Sequence, residues 1–140
     1  MEVSKEILYD IADSLDAGFK CFIDRQTLEL VTYIDPDRYP GMDPRDWKEE
    51  ISKIKKNRNK FIEIESMDSK ISFNVMEEFA NSLENNPTKI RLLIALEGNK
   101  PFANFKHQIE NSGVYRELWF AFRLEKNIEW VQSQLIAKLL

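Results

Sequence analysis

The chain has 140 residues, 43% of them hydrophobic and 31% charged, with four Gly, five Pro and a single Cys. Those values exclude a disordered tail, a collagen-like repeat and a low-complexity linker, and the length predicts one domain over residues 1–140. The net charge of −4 is unevenly spread, with five basic and eleven acidic side chains in residues 1–47 but eight and five in 87–140, so no broad cationic face for duplex binding is expected.

From the N-terminus, Ile7, Leu8, Ile11, Ala12 and Leu15 recur at helical spacing behind Ser4, a candidate N-cap, and Gly18 is a natural stop. Phe19 to Asp24 alternates, with Phe19, Cys21 and Ile23 on one side, and Glu29 to Ile34 is β-prone. The polar residues Asp24 to Thr27 between them predict a hairpin, with Cys21 as a small core residue. Prolines at 36, 40 and 44, together with Gly41, make residues 35–43 a loop. A helix follows, with Asp43 as N-cap, Pro44 in its first position and Asp46 in the positive first turn. Trp47, Ile51 and Ile54 form its apolar stripe, and residues 57–59 close it. Phe61 to Glu65 is a third short strand, with Ile62 and Ile64 facing one way and Glu63 and Glu65 the other.

The second half is helical. Ile71, Val75, Met76, Phe79, Ala80 and Leu83 make one amphipathic helix. Asn86 and Pro87 open another, with Ile90, Leu93 and Ile94 as its predicted face and Gly98 as its stop. Phe102, Phe105 and Ile109 mark a third, ending near Gly113. Leu118, Phe122, Leu124, Ile128, Val131, Leu135 and Leu139 sustain a long last helix. Its stretch from Leu118 to Leu124 is apolar almost all round, which predicts burial on several sides. The expected fold is α+β: mostly helical, with a small antiparallel β-meander in the first half and a helical second half.

Gly98, Phe102, Phe105, Lys106 and Ile109, followed by Trp119, Phe122 and Arg123, read as Gly–x3–Phe–x2–Phe–Lys–x2–Ile and then Trp–x2–Phe–Arg. This arrangement resembles the C-terminal signature of a bacterial uncharacterised protein family, UPF0158. The resemblance extends to the helix ending in Ile11 to Leu15, the hairpin Phe22 to Val31, the Phe61-Ile62 strand and the helix bearing Met76, Phe79 and Leu83. In the hairpin and the Pro-rich loop the match is loose. What the resemblance implies is a bacterial origin and no assigned activity.

Read for chemistry, the sequence offers little. The glycines, at 18, 41, 98 and 113, form no phosphate-binding loop, and one Cys with one His cannot supply the four ligands of a structural zinc site. A Cys21/His107 dyad is formally available, but Cys21 falls on an apolar strand face. Pro36-Asp37 followed by Asp68-x-Lys70 superficially resembles the motif of metal-dependent nucleases. With Glu63 and Glu65 these acids make a metal-dependent hydrolase the third reading; N-capping by Asp68 and an ordinary charged strand face explain them more simply.

Lys53, Lys55, Lys56, Arg58 and Lys60 form the dense basic run that a nucleic-acid role, the second reading, would use. A solvated helix end suits the same residues. The aromatic residues from Phe102 to Trp130 would suit a pocket for bases or a peptide, though their spacing is also that of a helical core.

The leading expectation is therefore a non-enzymatic protein that acts through protein–protein contact, as a small regulator or a homodimer, without a cofactor or bound metal. Trp119, Arg123, Trp130, Lys106 and Arg116 are its candidate partner-contact residues, since both tryptophans fall off the main apolar stripe. The longest apolar runs, Leu92 to Leu96 and Leu118 to Phe122, fall far short of a membrane span. The first residues show neither a basic nor an apolar signal region, and the lone cysteine suits a reducing compartment, so the expected location is the cytoplasm, away from membranes.

Overall fold

The computed structural model describes residues 3–139. Four helix starts are fixed by the side chains that the sequence marks for them. Ser4 accepts from the Ile7 N–H at the head of α1 (Lys5–Asp16). Asp68 accepts from the Ile71 N–H ahead of α3 (Ser69–Ser82), and Asn86 from the Lys89 N–H ahead of α4 (Pro87–Glu97). Asp43 accepts from the Arg45 N–H, but the turn it caps, Pro44–Trp47, is a 3-10 helix, and α2 begins only at Lys48 and runs to Lys56. Each cap satisfies a backbone donor that the helix itself leaves unpaired. The remaining helices are α5 (Pro101–Glu110) and α6 (Val114–Leu139).

The fold is α+β and mostly helical, with one three-stranded antiparallel sheet of β1 (Phe19–Asp24), β2 (Leu30–Ile34) and β3 (Phe61–Ile64). The strand order is β2-β1-β3. This corrects the expected meander: β3 does not add next to β2 but crosses back to the far side of β1, which becomes the central strand. The chain divides into two compact units, one of residues up to Ser66 and from Asn127 on, the other of Met67–Lys126.

In the first unit the pleat gives the sheet two covered faces. The register sets Cys21 opposite Thr32 and Ile64, and Ile23 opposite Leu30 and Ile62. This is the face of α1, whose Leu8, Ile11, Ala12 and Leu15 are buried. On the other face Phe22, Val31 and Phe61 pack with Ile54 of α2, and Tyr33 stacks on Phe22 at 5.6 Å between ring centres.

The 35–43 loop is strapped to the end of α1. The Arg38 guanidinium donates to the Leu15 carbonyl, which also accepts from the Gly18 N–H, and the Tyr39 hydroxyl donates to the Ala17 carbonyl, each at 3.1 Å. Gly18 turns the chain there at a φ of +93°, and a Cβ on it would collide with the Tyr39 ring.

In the second unit Val75, Met76, Phe79 and Ala80 of α3, Leu92 and Leu96 of α4, Phe105 and Ile109 of α5 and Trp119 of α6 make one core. Here α4 corrects the expected face. Leu92, Ala95 and Leu96 are buried, and Leu93 packs at the core edge, whereas Ile90 and Ile94 are 58% and 63% exposed. The all-round burial expected for Leu118 to Leu124 is corrected as well. Leu118 and Phe120 lie in water at 49% and 40% exposure, and only Trp119 of that stretch is buried.

Candidate functional site

Three helices of the second unit present apolar side chains that the core leaves out. On α4, Ile90 and Ile94 are one turn apart on the same stripe. On α6, Val114 and Leu118 repeat that spacing, with exposed Ala121 continuing the stripe. Phe102 opens onto solvent from the first turn of α5. Among the described residues, nine large hydrophobic side chains are exposed and six of them belong to this unit, a concentration that internal packing does not explain. Phe120 stands apart from the Val114–Leu118 stripe. The Arg116 guanidinium lies over its ring at 4.8 Å and also approaches Glu117 at 3.4 Å.

The candidate contact residues separate into three environments. Trp119 is enclosed in the core, its ring edge-on to Phe79 at 5.3 Å and to Phe105 at 4.9 Å, which leaves it no surface to offer a partner. Its departure from the main stripe reflects a second direction of packing on α6. Lys106 and Arg116 are exposed, with Lys106 4.0 Å from Glu110, and Arg123 is half-buried. Trp130 lies in the other unit, where it belongs to a polar clamp.

The phase of the β1–β3 ladder, set by the Arg25 N–H donating to the Lys60 carbonyl at 2.9 Å, turns the backbone groups of Glu63 and Glu65 outward. Side chains on one stripe of α6 meet them. The Trp130 indole N–H donates to the Glu65 carbonyl at 2.8 Å. The Gln134 amide donates to that carbonyl at 2.7 Å, and its oxygen accepts from the Glu65 N–H at 2.9 Å. The Lys138 ammonium donates to the Glu63 carbonyl at 2.7 Å and to the Gln134 oxygen at 3.2 Å. Positions 130, 134 and 138 thus close a strand edge that would otherwise be a template for further pairing. Sequence reasoning missed Gln134 and Lys138; the polar i, i+4, i+8 series was the only signal.

Some of the acids and cations of the other readings are engaged structurally. Asp68 caps α3, and Glu63 and Glu65 are held by their backbones. Among the described residues no group of three or more His, Cys, Asp or Glu side chains could hold a metal ion. In the basic run, Lys53 pairs with Glu29 at 2.8 Å and Lys60 with Asp24 at 3.4 Å. Asp24, fully buried, was not singled out from the sequence. It accepts from the Thr27 and Gln26 N–H groups at 3.0 and 2.8 Å, and these bonds, reinforced by Lys60, hold its pKa below the usual carboxylate value.

Cys21 is completely buried, and burial, with the Glu63 charge adding to it, pushes its thiol up to about 12. His107 is exposed on α5. A neutral, enclosed thiol of this kind has no nucleophile to offer a base.

No described helix is long and apolar enough to cross a membrane. The sequence model of an uncharacterised protein family, UPF0158, matches residues 2–139. No curated protein and no solved structure matches the chain.

Proposed function

Because the chain belongs to the uncharacterised protein family UPF0158, a membership that brings no assigned activity, we propose its function from its surface: it is a non-enzymatic cytoplasmic protein that works by binding protein, as a small regulator or a homodimer. The observation that supports this is the exposure of Ile90, Ile94, Val114 and Leu118 at one-turn spacing on α4 and α6. Full burial of such a side chain is worth about 1.5–3 kcal/mol, and these four still expose about half or more of their surface, so covering the stripes returns part of that as binding energy. Phe120 with Arg116 adds the aromatic and guanidinium chemistry enriched at interfaces. Exposed Lys106 supplies a charge of the kind found at a polar rim.

The cytoplasmic assignment rests on the lone reduced cysteine, which suits a compartment where disulfides are rare. Hydrodynamic measurement tests the proposal. A glutamate at position 94 or 118 places a charge on an exposed stripe without entering the core, and it should abolish association while leaving the thermal midpoint nearly unchanged.

A further inference from the structure

We infer that a polar hollow in the second unit, lined by Thr88 and Arg91 of α4 and by Gln108, Asn111 and Ser112 at the end of α5, binds the oxyanion group of a small molecule, a carboxylate or a phosphate. The hollow has a volume of about 200 Å³ and no acidic or apolar side chain among those five. That size admits an oxyanion and a few attached atoms.

Arg91 brings only donors to the space, whereas Thr88 and Gln108 can either donate or accept. Two carbonyls at the end of α5 that would repel an anion are occupied by lining side chains. The Ser112 hydroxyl donates to the Ile109 carbonyl at 2.6 Å, and the Asn111 amide to the His107 carbonyl at 2.8 Å. Among the described residues the side chains of Arg91, Thr88 and Gln108 have no hydrogen-bond or ion-pair partner, which leaves a guanidinium, a hydroxyl and an amide free around the space. A guanidinium matches a carboxylate or phosphate through two parallel N–H bonds, and the hydroxyl and amide can add a third and fourth.

Arg91 carries the only charge among the five lining side chains, and the acid next to Asn111, Glu110, sits beside Lys106 at 4.0 Å. An unpaired arginine in such a setting attracts anions and discriminates against cations. The hollow borders the α4 stripe of the proposed contact, since Arg91 and Ile94 lie three residues apart, but its lining shares no residue with that stripe.

Titration of the isotope-labelled full chain with sodium phosphate, and separately with sodium acetate, at ionic strength held constant with chloride, tests the inference. The site predicts saturable amide shifts confined to Thr88, Arg91, Gln108, Asn111 and Ser112 in at least one titration, and which titration saturates identifies the oxyanion. Arg91→Gln should weaken binding about tenfold or more, the loss expected from removing a charge-assisted pair of hydrogen bonds. Thr88→Val should weaken it less, and Lys100→Gln, which removes a positive charge elsewhere in the unit, should leave it unchanged. The inference is overturned if neither anion gives saturable shifts, if Arg91→Gln binds as the parent does, or if Lys100→Gln weakens binding equally.

Discussion

The side-chain amide of Gln134 pairs with both backbone groups of Glu65, accepting from its N–H at 2.9 Å and donating to its carbonyl at 2.7 Å. A glutamine on a helix thereby does for the edge of β3 what a neighbouring strand would do. Gln134→Ala leaves the N–H of Glu65 without its partner, while Trp130 still reaches the carbonyl. An unpaired, part-buried polar group costs about 1–3 kcal/mol, so the midpoint of urea unfolding should fall by the corresponding amount with an unchanged slope.

Asp24 makes stability depend on acidity. Its folded pKa lies below the unfolded value because the Thr27 and Gln26 N–H groups and Lys60 favour the carboxylate. The stabilisation it gives is therefore complete above the unfolded value, near 4, and is lost as the pH falls through the lowered folded value. Asp24→Asn retains an oxygen for the two N–H groups and lacks the charge. Urea unfolding should show the parent more stable than the variant at pH 7, with the gap closing as acid protonates Asp24.

Cys21 should be chemically silent in the native protein. It is completely buried, and its thiol is pushed up to about 12. A thiol-specific reagent at pH 8 should label the denatured chain promptly and the native chain only at the rate of unfolding. Prompt labelling of the native chain would contradict the burial.

Trp119 should act through stability. Its ring packs against Phe79 and Phe105 inside the core. Trp119→Ala should cost about 3–5 kcal/mol, with Trp119→Phe milder, both read by thermal or urea unfolding. A Trp119→Ala chain as stable as the parent would place the indole outside the core.

Much of the fold was legible because its signals are local. Ser4, Asp43, Asp68 and Asn86 each bond within two or three residues of themselves, and the alternation of Phe19, Cys21 and Ile23 needs only the pleat. The face of α4 was not legible, since Ile90, Leu92, Leu93, Ile94 and Leu96 surround the helix and no stripe is uniquely apolar. Leu118 to Phe122 misled for the same reason. The crossing of β3 past β1 depends on pairs such as Cys21 with Ile64, and its closure by Trp130, Gln134 and Lys138 on contacts more than sixty residues apart, neither of which local periodicity encodes. The carboxylates at 63 and 65 drew attention by their side chains, whereas the structure uses their backbones.

The contact proposal is tested most directly by sedimentation of a fluorescently tagged chain, at micromolar concentration in buffer and again in cell extract, beside Ile94→Glu and Leu118→Glu. The parent should sediment as a species larger than its own 16.6 kDa chain plus tag in at least one setting, and at least one variant should sediment as a monomer in both. A parent that stays monomeric in buffer and extract alike, or two variants that associate as fully as the parent, would contradict it.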